Sequence, residues 1–169
     1  MNGVLFTGGG LNLLDNNGQH HPYYETAKQI FNYSLFKKDV LGETWPVLGI
    51  CQGLEVVSLI LSGDVDTLDE VRIHGESRPI KWAVDEETSR LFGGFTPQLA
   101  AAMEAESLAL HAHSFSIGVD TYESVPGLNR FMRVLQTDAI EQDGKHIEFI
   151  AAMEAKDYPI YCTMYHPEY

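Results

Sequence analysis

The period of the apolar positions changes several times along this chain, and each change marks an element. Residues 3–7 form a short apolar run that stops at Gly8, Gly9 and Gly10, the pattern of a strand ending in a glycine loop. From Pro22 to Leu41 the spacing becomes helical: Tyr23 or Tyr24, Ala27, Ile30, Phe31, Ser34 and Leu35 make one stripe, and Gly42 closes it. Val47, Leu48 and Ile50 return to a continuous apolar run, as in a strand covered on both faces, with Pro46 at its first position. After Cys51 the period is helical again through Leu54, Val57, Ser58 and Leu61, and Gly63 is the expected cap. Strand, helix, strand, helix over residues 3–61 predicts a parallel sheet with right-handed crossovers. Both glycine-rich strand ends, Gly8 to Gly10 and Cys51 to Gly53, then fall on one edge of that sheet.

The rest of the pattern is less even. Residues 11–21 read as a polar loop with a turn at Asp15-Asn16-Asn17-Gly18. Residues 64–70 are acidic, short strands are expected at 71–73 and 79–83, and Gly93-Gly94 marks a turn. Thr96 caps a helix that runs to residue 105 with Pro97 in its first turn. The β-rich runs 131–140 and 146–152 flank Asp143-Gly144, a hairpin signal, and a last apolar run, 160–165, leads into His166-Pro167-Glu168. We expect one α/β domain over residues 1–169, a three-layer sandwich around a mainly parallel sheet.

Composition narrows the partners more than the activity. Of 169 residues 44% are apolar and 21% charged, enough for a substantial core. Eleven Lys and Arg against 24 Asp and Glu give a formal charge of -13, which disfavours nucleic acid and anionic membrane surfaces as partners. No run approaches the roughly 20 apolar residues of a membrane span, and the first residues do not read as a signal peptide. Two cysteines, Cys51 and Cys162, make no disulfide framework.

Cys51 sits in a tight strand-to-helix turn between Gly49 and Gly53, the mechanics of a nucleophile elbow with sulfur in place of the hydroxyl. A helix N-terminus and a nearby imidazolium lower a thiol pKa, so a reactive thiolate is expected here. His166 follows a β-rich run, Pro167 biases it towards an extended conformation, and Glu168, two residues on, returns to the same side. Cys51, His166 and Glu168 would then serve as nucleophile, general acid/base and orienting carboxylate. The glycine triplet by itself is either a plain turn or an anion-receiving loop. His111 and His113 share a strand face, but with no third ligand indicated no metal or other cofactor is expected. His20, His21, His74 and His146 read as surface residues, and Cys162 as core.

Three segments taken together resemble the signatures of the class I glutamine amidotransferase-like (flavodoxin-like) fold: Gly3-Val-Leu-Phe-Thr-Gly-Gly, Pro46-Val-Leu-Gly-Ile-Cys-Gln-Gly-Leu-Glu and Tyr165-His-Pro-Glu. Within it, Glu55-Val-Val-Ser-Leu-Ile-Leu-Ser-Gly, His113-Ser-Phe-Ser-Ile and Asp143-Gly-Lys-His-Ile-Glu-Phe-Ile-Ala-Ala-Met-Glu are similar to the γ-glutamyl hydrolase family. The resemblance implies hydrolysis of poly-γ-glutamyl folates by Cys51, His166 and Glu168. It implies an oxyanion hole of the Gly9 and Gln52 amides. Glu55, one helical turn beyond Cys51, would receive the substrate's α-ammonium, with His113 and Gly8 beside the substrate.

Ammonia-producing amidotransferases usually carry Gln at the position of Glu55, so the acid favours a hydrolase. The alternatives are a glutaminase subunit feeding a synthase and a non-catalytic binding protein. The resemblance also implies a lysosomal, vacuolar or secreted protein, which the sequon Asn32-Tyr33-Ser34 fits, and admits a homodimer. Family members carry a further strand, helix and strand before the segment matching Gly3 and more helix after His-Pro-Glu, so both ends are expected to be incomplete.

Overall fold

A computed structural model describes residues 2–13, 19–63 and 67–169. The turn expected at Asp15 to Gly18 and residues 64–66 of the acidic stretch lie outside the described residues.

A six-stranded sheet organises the fold. Its strands are β1 (Val4–Phe6), β2 (Val47–Ile50), β4 (Lys81–Trp82), β6 (Met132–Gln142), β7 (Lys145–Ala155) and β8 (Ile160–Thr163), in the order β1-β2-β8-β7-β6-β4. β1, β2 and β8 run parallel, whereas the β8–β7, β7–β6 and β6–β4 junctions are antiparallel, so the sheet is mixed. The antiparallel half grows from the expected hairpin. Asp143 and Gly144 have φ of 53° and 74°, the left-handed pair that a type I′ turn demands. A separate two-stranded antiparallel sheet joins β3 (Asp69–Arg78) to β5 (Ala109–Ser116).

The helices follow their sequence signals closely. α1 (Pro22–Leu41) buries Tyr24, Ala27, Phe31 and Ser34. Its N-cap is His21, whose Nδ1 accepts from the Tyr23 amide at 3.1 Å, so this histidine is structural rather than merely superficial. At its end the Gly42 and Glu43 amides return to the Lys38 and Lys37 carbonyls. The sequon lies in mid-helix, and Ser34 is buried with its hydroxyl donating to the Trp45 carbonyl at 2.7 Å. α2 (Gln52–Ser62) buries Leu54, Val56, Val57 and Leu59 almost completely, worth roughly 1.5–3 kcal/mol each. α3 (Pro97–Ala105) is capped as expected, Thr96 Oγ1 accepting from the Leu99 amide at 3.2 Å.

Two short helices, α4 (Val119–Ser124) and α5 (Pro126–Phe131), complete the set. They were not foreseen, because six residues are too few to display a helical period.

The layers can be read from strand alternation. Val134, Ile150 and Met164 join a large cluster with α1, α2 and α5, while their neighbours Leu135, Ala151 and Tyr165 join a second cluster with Phe92 and Met103. Successive side chains point to opposite faces, so both faces of the sheet are covered. Among the described residues no helix is long and apolar enough to cross a membrane.

Candidate active site

The three parallel strands end on one edge: β1 before Gly8, β2 before Cys51 and β8 three residues before His166. Open α/β sheets place their sites at such carboxyl ends. A cavity of about 480 Å³ here is lined by Thr7, Gly8, Cys51, Leu110, His166 and Tyr169. A second, of about 270 Å³, is lined by Gly9, Cys51, Gln52, Glu55, His113 and Phe115. Cys51 faces both.

Cys51 has φ 52° and ψ −108°, a backbone state that costs a non-glycine residue on the order of 1–3 kcal/mol. The turn closes only because Gly53 lies against β1: a Cβ there would stand 2.3 Å from the Phe6 carbonyl oxygen. The thiol donates to the Ala112 carbonyl at 3.8 Å, and the backbone amides of Gln52 and Gly9 are both directed at the sulfur. Burial nevertheless pushes the thiol up to about 11, with the Glu55 charge adding to it and the two amides opposing. The expected low-pKa thiolate is therefore corrected. Helix position alone does not outweigh desolvation and a neighbouring acid, and the free thiol is protonated at neutral pH.

The Gln52 side chain has a task the sequence did not reveal. Its Nε2 donates to the Leu11 carbonyl at 2.7 Å and its Oε1 accepts from the Leu11 amide at 3.2 Å, clamping the glycine loop. A Cβ on Gly9 would stand 2.8 Å from that Oε1, and one on Gly8 2.6 Å from His166 Cε1. The loop is thus seated against Gln52 at one residue and the His166 ring at the previous one.

His166 is held at both ends. Its amide donates to the Leu110 carbonyl at 2.8 Å, and its Nδ1 lies 2.8 Å from Glu168 Oε1. A carboxylate only accepts, so Nδ1 carries the proton, and in the neutral ring Nε2 then presents a lone pair. Nε2 is buried and, among the described residues, has no partner. Glu168 reaches the ring differently from expectation. Residues 167–168 form a turn, with the Tyr169 amide back to the His166 carbonyl, rather than an extended chain. That turn also packs the Tyr169 ring 5.8 Å from the imidazole.

Glu55 is 7% exposed, and burial pushes its carboxyl up to about 7. Tyr23 carries a buried hydroxyl without a partner among the described residues, and the Glu55 charge acts on it. Nothing in the sequence distinguished Tyr23 from Tyr24, which is the helix's core tyrosine. His113 lines the smaller cavity, but its nitrogens are engaged: Nδ1 lies 3.0 Å from the Val71 carbonyl and Nε2 3.0 Å from His111 Nδ1. Cys162 is fully buried and far from reactive, its thiol held up to about 12 by burial. Among the described residues no cluster of three or more His, Cys, Asp or Glu could hold a metal ion.

Comparison with known proteins gives this edge a context. The family profile described as glutamine amidotransferase class-I matches residues 17–169. γ-Glutamyl hydrolases of Rattus norvegicus and Homo sapiens are each 34% identical over 99% of this chain, which spans 50% and 49% of them. γ-Glutamyl hydrolase 1 of Arabidopsis thaliana is 31% identical over 99% of the chain, which covers 45% of that protein. The chain thus spans about half the length of the curated relatives it matches. A crystal structure described as that of a GMP synthase component from Thermoplasma acidophilum superposes with TM-score 0.60 at 16% identity. The superposition takes in 100% of this chain and 64% of that one, a likeness of fold alone. The profile match accounts for the strand-end architecture just described, and the chain belongs to the class I glutamine amidotransferase family.

Proposed function

We propose that this chain is a cysteine hydrolase of γ-glutamyl bonds, acting on poly-γ-glutamyl folates. The reading rests on one observation: an acidic residue, Glu55, lines the cavity beside Cys51 with no cation or hydrogen-bond partner for its carboxylate among the described residues. The curated relatives named γ-glutamyl hydrolase support it.

In this reaction Nε2 of His166 takes the thiol proton as sulfur attacks the γ-carbonyl carbon. The carbonyl oxygen becomes an oxyanion between the Gly9 and Gln52 amides, where a single donor is typically worth ~2.7–4 kcal/mol. His166 then protonates the departing amine, leaving a γ-glutamyl thioester on Cys51. Water, deprotonated by His166, attacks that thioester, the C–S bond breaks, and the thiol recovers its proton.

Glu55 accepts an N–H on the α-carbon of the γ-glutamyl unit. Inside a folyl polyglutamate that nitrogen is an amide; only at a free amino end is it an ammonium, so the expected ammonium contact is restricted to that case. Either donor draws the Glu55 charge away from the thiol, so a bound substrate favours the thiolate that the empty site disfavours.

Incubating the protein with a γ-linked polyglutamate and following chain length by mass spectrometry tests the proposal. Stepwise shortening is expected, abolished by Cys51→Ala. Undiminished cleavage in that variant rules the mechanism out. Ammonia release from glutamine in place of cleavage would favour the glutaminase reading.

A further inference from the structure

β5 touches both partners of the proposed reaction. At Leu110 its carbonyl accepts from the His166 amide at 2.8 Å, and two residues on the Ala112 carbonyl receives the Cys51 thiol at 3.8 Å. The intervening and following side chains, His111 and His113, are buried, at 0% and 6% exposure. Alternation along the strand therefore puts two imidazoles inside, at the same height as the two carbonyls that meet the site.

The hydrogen bonds of this pair have a fixed direction. Val71 offers a carbonyl, which only accepts, so His113 Nδ1 carries the proton across the 3.0 Å contact. In the neutral ring His113 Nε2 is then an acceptor, and the 3.0 Å contact to His111 Nδ1 requires the proton on His111. His111 Nε2 is left with a lone pair, without a partner among the described residues, 3.8 Å from Asp138 Oδ2. That distance is beyond a hydrogen bond.

The charged and titratable groups around the pair are Arg78 on β3, Asp138 on β6 and His166 beyond β8; Phe149 of β7 and Tyr165 pack edge-on to His111. Arg78 already engages Asp138 through Nε at 2.6 Å and Nη2 at 3.4 Å. Burial holds both imidazoles low, at about 3 and about 4, so the pair is neutral around pH 7.

The β3–β5 ladder itself gives limited support. Its register shifts between Glu70 and Ile73 and again between His74 and Glu76, and among the described residues β3 and β5 form a sheet of two strands. A two-stranded ribbon is marginal without packing from elsewhere. The imidazole pair supplies a tie at the height of Leu110 and Ala112.

We propose that His111 is a positioning residue: its Nδ1–H holds His113 in one tautomer, and the pair seats β5 so that the Leu110 and Ala112 carbonyls meet His166 and Cys51. The consequence for turnover rests on the proposed hydrolase reading; the tautomer does not.

The test uses the full chain with His111→Asn and His111→Gln. The Asn amide stands where Nδ1 was and can still donate to His113, whereas the Gln amide stands where Nε2 was. A ring-nitrogen NMR spectrum at pH 7 is expected to show His113 protonated on Nδ1 and bare on Nε2, in the parent and in the Asn variant. With a γ-linked substrate, Asn is expected to retain most of kcat. Gln is expected to lose roughly tenfold or more with KM little changed, since small misplacements of reacting groups are costly.

If no γ-linked substrate is turned over, the proposed function fails. The two variants are then read by the rate at which iodoacetamide alkylates Cys51, with Gln expected to differ from the parent and Asn to match it. A His113 protonated on Nε2 in the parent, or equal behaviour of the Asn and Gln variants, overturns the proposal.

Discussion

Changing Glu55 to Gln removes one ionisation from the candidate site while keeping its shape. Glu55 is 7% exposed, and burial moves its carboxyl from the ordinary 4.5 to about 7. At about 1.4 kcal/mol for each pH unit, that shift corresponds to about 3 kcal/mol. The folded chain binds this proton more tightly than the unfolded chain. The associated stability is complete below pH 4.5 and is lost as pH rises through about 7. The Gln side chain has nothing to ionise and loses nothing over the same range. Its advantage over the parent should therefore grow between pH 4.5 and pH 8, towards about 3 kcal/mol, or roughly 6–12 °C in Tm for a chain of this size.

Other groups titrate in the same range, so the comparison must be between proteins. His111 and His113 have folded values below 6.5; the stability they contribute is present above 6.5 and is lost as pH falls towards about 3 and about 4 respectively. They occur in both proteins and cancel in the difference. Urea unfolding at pH 5 and pH 8, followed by the fluorescence of Trp45 and Trp82, measures that difference. A Gln-minus-Glu stability difference equal at both pH values would refute the reasoning, because it would mean that Glu55 ionises in the fold as it does in water.

The same variant should make Cys51 more acidic, since a negative neighbour that holds the thiol up is gone; the midpoint of alkylation rate against pH should fall below about 11, and an unmoved midpoint counts against the proximity. Gly53→Ala places a methyl 2.3 Å from the Phe6 carbonyl oxygen and should cost about 1–3 kcal/mol or more in urea unfolding. Gln52→Leu keeps the backbone amide but deletes both bonds to Leu11, so kcat should drop while circular dichroism stays that of the parent; unchanged kcat would show that the clamp does not hold the loop.

The strand-helix-strand-helix start was legible because each boundary carries its own signal: Gly42 and Gly63 end helices, Pro46 precedes a strand and Asp143-Gly144 turns a hairpin. The chemistry gathered by parallel strand ends was legible for the same reason, since Gly8, Cys51 and His166 each follow a recognisable strand. Contacts made by long-range packing were not. The His111–His113 bond, the Gln52 clamp and the carbonyls of Leu110 and Ala112 depend on where β5 lies, and β3 is largely exposed and broken by bulges. The thiol's acidity is not legible in the sequence because its largest determinant, burial, belongs to the whole fold.

Two buried glutamates separate what holds this fold from what it does. Glu154, 1% exposed, accepts from Arg133, from the Ser89 hydroxyl at 3.2 Å and from the Arg90 and Leu91 amides at 3.0 and 3.1 Å. Each of these donors offsets part of the cost of burying the carboxylate, and together they fasten the segment after β4 to β7. Glu55 is nearly as buried and has none of these partners. Other unusual groups lie around Cys51, itself with positive φ: among the described residues His166 Nε2 and the Tyr23 hydroxyl, on which the Glu55 charge acts, have no partner. Among the buried carboxylates of the described residues, Glu154 is fully satisfied and Glu55 is left open. Such local inconsistency is expected where a ligand supplies the missing partners.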